Sequence, residues 1–277
     1  LGVTDVRDAI RWEHVEKTQQ GEYAFDPAFD AYMEGLEQIE KDPLLVMALH
    51  NALYDNGDTP YTEEGWAGFA DYGKALLDRY GTQIKSLEVW NEYNGMSYTK
   101  GPAYRDPVNY AEMVKKVYET VKPSHPEVNV VGGAFTRVDL DFYDRVFEKY
   151  GVDYMDVVSV HHYPGSPYGS MHDLEYLNSL IKSYNDGVGK PIWVSETGWP
   201  TKPASGGVEE NVQAEYLVKV LSILLSKENV EKVFWFNFMD NMAESMNKEH
   251  TFGIIRKYDN AKGKYTPKPA YVSYAVL

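Results

Sequence analysis

The sequence contains no cysteine, which excludes a disulfide framework and thiolate chemistry but leaves the compartment open, since many exported proteins also lack it. It contains no apolar run near the roughly 20 residues that a helix needs to cross a bilayer, so it does not read as an integral membrane protein, and no membrane partner is expected. It is short of positive charge: 27 Lys and Arg stand against 42 Asp and Glu, and the net charge of −15 is spread along the chain rather than gathered in a tail. Such a surface favours solubility and repels polyanions, so nucleic acid is not an expected partner. An initiator Met and a signal peptide are also lacking, because the chain opens on Leu1-Gly2-Val3-Thr4-Asp5-Val6-Arg7. This fits a chain from which an export signal and more were removed, or a cropped one, and a secreted or periplasmic location is expected over a cytoplasmic one. Nothing in the sequence speaks to oligomeric state.

What is present is the composition of an ordinary globular protein, 43% hydrophobic and 25% charged, over 277 residues. A barrel of alternating strands and helices needs roughly 250 residues. One catalytic domain over residues 1–277 is therefore expected. Strand-length apolar runs recur at 3–9, 44–50, 86–91, 128–135, 157–163, 192–196 and 233–238, with segments of helical period between them. Asp26-Pro27 and Asp106-Pro107 each offer a capping carboxylate followed by proline at the first helical position. Helices over 66–80 and 143–150 end at Gly81 and Gly151, residues suited to a left-handed cap, and further helices read over 172–184 and 209–226. Repeated β-α units predict a (β/α)8 barrel of the TIM type. Seven strands do not close a barrel of eight, and the first strand with its helix is expected to be the missing unit.

Two carboxylates stand at the ends of apolar strands, Glu92 in Leu87-Glu88-Val89-Trp90-Asn91-Glu92 and Glu196 in Ile192-Trp193-Val194-Ser195-Glu196-Thr197-Gly198-Trp199-Pro200. In such barrels the catalytic groups project from the C-terminal strand ends. A single strand-end Glu reads as a solvated or ion-paired loop carboxylate. Two of them, on strands that count as fourth and seventh once a missing first is allowed, read as a catalytic pair. Residues 159, 161 and 163 alternate onto one strand face, which places Ser159, His161 and Tyr163 together. His161 and His162 point to opposite sides and cannot share a metal, and no other His, Asp and Glu cluster at ligand spacing is visible, so neither a metal nor a cofactor is expected.

Trp90-Asn91-Glu92 and Ser195-Glu196-Thr197-Gly198-Trp199 resemble the fourth-strand acid/base and seventh-strand nucleophile motifs of clan A glycoside hydrolases. The opening Arg7, Trp12 and Gly21-Glu22-Tyr23-Ala24-Phe25-Asp26, and the close Lys268-Pro269-Ala270-Tyr271, resemble glycoside hydrolase family 39 and its neighbours. The fourth-strand motif is usually followed by proline, where this chain has Tyr93, and Glu-Thr-Gly-Trp-Pro also occurs in family 17 endoglucanases. The resemblance implies a retaining glycosidase that degrades an oligosaccharide or polysaccharide, with Glu92 as acid/base and Glu196 as nucleophile. It does not carry over the sugar, the linkage, or endo or exo action.

The resemblance further implies that Asn91 hydrogen-bonds a sugar 2-hydroxyl, although alternation turns it from the face of Glu92 unless the strand ends in a bulge; the rival reading is a loop cap. It implies that Arg7, at the end of its strand, holds Glu196 ionised, against an ion pair with Asp8 or another wall carboxylate. Tyr163 corresponds to a tyrosine that hydrogen-bonds the nucleophile. Trp235 corresponds to an indole that floors the sugar subsite, or it is plain core beside Phe234, Phe236 and Phe238. Trp90 and Trp193 read as packing between sheet and helices. The 23 Tyr and 6 Trp suit a carbohydrate cleft. Two other functions stay open: a non-catalytic carbohydrate-binding barrel, whose signature would be a substituted catalytic Glu, and a metal-dependent barrel hydrolase, which a chelator would expose.

Overall fold

The computed structural model describes residues 2–169, 172–202, 206–242, 247–259 and 264–277. Its frame is one parallel sheet of seven strands in sequence order: β1 (Asp5–Arg11), β2 (Asp42–Ala48), β3 (Ser86–Val89), β4 (Asn129–Thr136), β5 (Val157–His161), β6 (Ile192–Thr197) and β7 (Val230–Trp235). A parallel sheet covered by helices buries both strand faces, and β2, Asp-Pro-Leu-Leu-Val-Met-Ala, is buried at every position after the first. β1 pairs only with β2, and the curled sheet stays open between β7 and β1. Across that opening Lys232 of β7 forms an ion pair with Asp5 of β1. This is a (β/α)8-type wall without a first strand and helix, as the seven runs anticipate.

Crossover helices cover the outside: α1 (Trp12–Val15), a single turn, then α2 (Pro27–Gln38), α3 (Glu63–Tyr80), α4 (Pro107–Val121), α5 (Leu140–Tyr150), α6 (Asp173–Ser183) and α7 (Glu210–Leu225). The Asp-Pro starts hold: Asp26 accepts the N–H of Ala28 at 2.8 Å and Asp106 that of Val108 at 3.0 Å. α3 and α5 begin three residues before the apolar pattern, because Thr62 and Asp139 accept the N–H groups of Gly65 and Phe142. Gly81 and Gly151 close these helices at φ 54° and 61°, but with ψ −127° and −140°, a conformation open to glycine that is not the expected left-handed turn. After β7 come an antiparallel ribbon, β8 (Ile255–Asp259) with β9 (Lys264–Pro267), and α8 (Pro269–Ala275). Neither ribbon strand carries an apolar run, so the sequence offers no signal for it. No helix among the described residues is long and apolar enough to cross a membrane.

The core has two layers. Between sheet and helices a ladder of rings runs Trp12, Phe69, Trp90, Tyr93, Tyr110, Phe135 and Tyr143, with successive centroids 4.7 to 5.8 Å apart. Trp90 belongs to it, as expected. Trp193 does not: with Leu44, Val131, Val157 and Phe234 it forms a second cluster inside the barrel. Alternation explains the correction, because Ile192 and Val194 face the helices and Trp193 between them must face inward.

Candidate active site

Arg7 organises the mouth of the barrel. It is the third residue of β1 rather than its last, and its long side chain reaches upward across the sheet interior. Its guanidinium donates from Nε to Glu88 Oε2 at 2.6 Å, from Nη1 to Glu196 Oε1 at 2.5 Å and from Nη2 to Asn91 Oδ1 at 2.9 Å. Burial works against its charge, and Glu88 and Glu196 more than offset that, so the arginine is held firmly protonated.

Glu196 is the last residue but one of β6 and has donors on both oxygens, since the Tyr163 hydroxyl donates to Oε2 at 2.6 Å. Burial alone would raise its pKa, but the neighbouring His161 and Arg7, with hydrogen bonds from Tyr163 and Arg7, bring it below the usual carboxylate range. Tyr163 moves the opposite way: burial and the charge of Glu196 push its hydroxyl well above its ordinary value, so it stays a donor.

Glu92 meets this group through His161. The imidazole Nδ1 lies 2.9 Å from Glu92 Oε1 and 3.5 Å from Glu196 Oε2, while Nε2 lies 3.2 Å from Arg7 Nη2. A guanidinium can only donate, so the contact with Arg7 is a hydrogen bond in the tautomer whose ring proton is on Nδ1, facing Glu92. His162 is turned the other way and is buried near Asp173 of α6.

Asn91 and Glu92 face one site because the strand stops. β3 ends at Val89, and Trp90 and Glu92 take φ of 71° and 49°, a left-handed conformation uncommon outside glycine. The break replaces the bulge that alternation required. The end of the segment is pinned from β4, where Ala134 O accepts the Glu92 N–H at 2.9 Å.

The structure thus gathers Arg7, Asn91, Glu92, His161, Tyr163 and Glu196 into one network. Trp235 is not in it. Its indole packs 6.1 Å from Trp199, which lies against Tyr216 of α7, and its N–H reaches Phe252 O at 3.4 Å. β7 ends three residues earlier than expected, which leaves Trp235 on the outward parity of Val233 and among the core side chains. The aromatic side of the nucleophile is formed instead by Phe252, 5.9 Å from Tyr163, with Phe236 5.4 Å beyond.

Three polar residues here went unseen in the sequence. Glu88 is fully buried, and its Oε1 has no hydrogen-bond partner among the described residues. A charge inside an apolar strand at an inward position was the available signal. Tyr98 lies close enough to Glu92 and Glu196 for burial and their charges to raise its pKa. His50, just past β2, packs edge-on against Trp90 at 5.4 Å, and burial with nearby Lys100 pushes its pKa down to about 4.

One oxygen each of Glu92 and Glu196 and one nitrogen of His161 fall within 4.8 Å of one another, the dimensions of a metal site. These residues come from three separate elements, so no sequence spacing reveals the group. The donor set speaks against an ion, because both Glu196 oxygens already accept hydrogen bonds and the guanidinium of Arg7 supplies the positive charge.

Seven parallel strands with two neighbouring carboxylates, Glu92 and Glu196, near their C-terminal ends have the fold of the clan A glycoside hydrolase barrels. The sequence profile of the glycosyl hydrolase catalytic core matches residues 67–253, and the chain belongs to that family. It is similar to a family 39 glycoside hydrolase from the gut symbiont Bacteroides cellulosilyticus WH2, with 26% identity and a TM-score of 0.82, over 99% of this chain and 57% of that one. A family 39 enzyme from Xanthomonas axonopodis pv. citri (16% identity, TM-score 0.69, 96% and 59% covered) and a monomeric beta-xylosidase from Caulobacter crescentus CB15 (19%, 0.70, 96% and 60%) share the fold. The chain spans less than two thirds of the length of each of these three relatives. No curated protein matches the sequence.

Proposed function

We propose that this protein is a retaining glycoside hydrolase acting on an oligosaccharide or polysaccharide, with Glu196 as nucleophile and Glu92 as acid/base. The observation that carries the reading is the approach of the two carboxylates, with an oxygen of each no more than 4.8 Å apart. A carboxyl separation of about 5–5.5 Å suits direct attack, whereas a water placed between sugar and base needs roughly 6.5–9.5 Å.

Double displacement needs one carboxylate as nucleophile and one group that hands over a proton. Arg7 and Tyr163 hold Glu196 charged. Its carboxylate attacks the anomeric carbon, the glycosidic C–O bond breaks, and the proton of Glu92 passes to the departing oxygen. Glu92, now ionised, takes a proton from water as that water attacks the glycosyl ester, releasing the sugar and restoring the Glu196 carboxylate. Because Arg7 occupies Oδ1 of Asn91, the amide Nδ2 is left to donate to a sugar hydroxyl.

The Glu92→Gln variant tests the assignment. Its kcat/KM should fall far more for glycosides with poor leaving groups than for activated aryl glycosides, which need little protonation, while hydrolysis of the glycosyl ester, for which Glu92 is the base, slows for both. An equal fall in kcat/KM for both substrate types would remove Glu92 from the acid's role. The Glu92, His161 and Glu196 group also admits a metal-dependent reading, and loss of activity in a chelator, restored by a divalent cation, would favour it.

A further inference from the structure

Next to Glu92 lies a cavity of about 660 Å3, well within the size of a site for a small ligand. Its wall includes Glu92 but not Glu196, Tyr163 or Arg7, so it lies on the flank of the acid, where a departing sugar would sit. Two arginines line it, Arg105 and Arg137, in a chain whose net charge is −15. Both hold φ in the left-handed region, at 52° and 62°, a conformation that non-glycine residues seldom adopt and that clusters at binding sites.

Asp139 and Asn94, which share the wall with hydroxyl side chains, are already engaged. Asp139 caps α5 through Oδ1 and accepts from Asn94 Nδ2 through Oδ2 at 3.0 Å. Asn94 Oδ1 accepts the Thr136 N–H at 2.8 Å, and Asn94 O accepts Nε of Arg105 at 2.6 Å, which fixes that arginine's stem and leaves its terminal nitrogens. Among the described residues Arg137 makes no hydrogen bond or ion pair. A planar five-donor cation facing a cavity with no acceptor assigned to it is suited to a bidentate anion supplied by a ligand.

We infer that this cavity is the leaving-group subsite and that it takes a sugar bearing an anionic substituent, a uronic acid carboxylate or a sulfate ester, read by Arg137 with Arg105 beside it. The inference rests on Glu92 being the acid that faces the leaving group. It predicts a preference for acidic over neutral saccharides on that side of the cleavage point.

The test is binding, measured by calorimetry on the full chain, with glucuronic, galacturonic and mannuronic acid di- and trisaccharides, their carboxyl-reduced neutral forms, and sulfated disaccharides. At least one acidic saccharide should bind about tenfold or more tightly than its neutral counterpart, and the preference should weaken with added salt. Arg137→Ala should abolish the preference and Arg137→Lys should keep part of it, with circular dichroism confirming that both variants are folded. Binding of sulfated saccharides alone would keep the anionic subsite and assign its source to sulfate. Equal binding of acidic and neutral forms throughout, or a preference that survives Arg137→Ala, would overturn the inference. Turnover of aryl glycosides, assayed in parallel, reports on the hydrolase reading separately: activity without acidic preference sinks only the subsite, and acidic binding without activity sinks only the hydrolase.

Discussion

The barrel interior has two levels built from the same strands, and they follow different rules. Near the strand starts, Leu44, Val131, Val157 and Trp193 pack with Phe234 as an apolar cluster edged by Lys232 and Glu231 at Trp193, and Val131 and Val157 are paired in register. At the mouth, Asn91, Glu92, His161 and Glu196 form a polar network held from below by Arg7 and Glu88, which pair in register with Leu44 and Val131, and the ladders slip between Gly133 and Phe135, Val160 and His161, and Val194 and Thr197. One further slip, between Ile192 and Trp193, lies at the lower level. Apolar packing is non-directional and tolerates simple alternation of side chains. Converging several side chains on one point is directional, and alternation would turn every second one away, so the mouth departs from it.

The comparison breaks most sharply at Glu196. Glu196→Gly should lower turnover by about 10⁴-fold or more, because losing a nucleophile removes a pathway. The melting temperature should move little, since Arg7 keeps Glu88 as a partner. Azide should restore cleavage of activated substrates and yield a glycosyl azide of inverted configuration. A large drop in stability with modest loss of rate would mean that the mouth is a packing element like the level below it.

Trp193→Ala is the converse change. Truncating this buried indole should cost about 3–5 kcal/mol in a denaturant titration. At temperatures where the variant remains folded, KM should stay near the parent value. A raised KM at full stability would place Trp193 in the substrate site.

Arg7→Met touches both rules at once and has a signed effect on the pH dependence. Glu196 has a lowered pKa, so its ionisation adds stability above the ordinary carboxylate value, and that contribution is lost as pH falls through the lower folded-state value. The acid limb of activity in the parent should therefore lie below the ordinary carboxylate range. Without Arg7 the burial of Glu196 is opposed by less, and the limb should move to higher pH. Glu88 is left buried without its cation, at a cost of roughly 3–5 kcal/mol. An unmoved acid limb would show that Arg7 does not set the charge of Glu196.

The same division explains what could be read in the sequence. Six strands of the sheet were legible as runs of apolar residues, and α2 and α4 from their Asp-Pro starts. β1, Asp-Val-Arg-Asp-Ala-Ile-Arg, carries no such run and lies two residues later than expected. The starts of α3 and α5 were missed where a polar cap precedes the first apolar residue, and the ribbon of β8 and β9 was missed because it buries no apolar face. In the site, Glu92 and Glu196 stood out by motif and strand position, and His161 and Tyr163 by alternation. Trp193 was misplaced, and Trp235, for which a subsite floor and plain core were both open, packs against the core, because each depends on which way a strand faces at one position, something composition does not encode. Glu88 was overlooked for a related reason: its role exists only once Arg7 reaches across from β1.

The central claim is a double displacement between Glu92 and Glu196, and product stereochemistry tests it most directly. An NMR time course of the first product, read before mutarotation, should show the anomer of the starting glycoside, because carboxylates about 5–5.5 Å apart exclude direct attack by water. Appearance of the opposite anomer first would contradict the account, placing a water between sugar and Glu196 and making that residue a base.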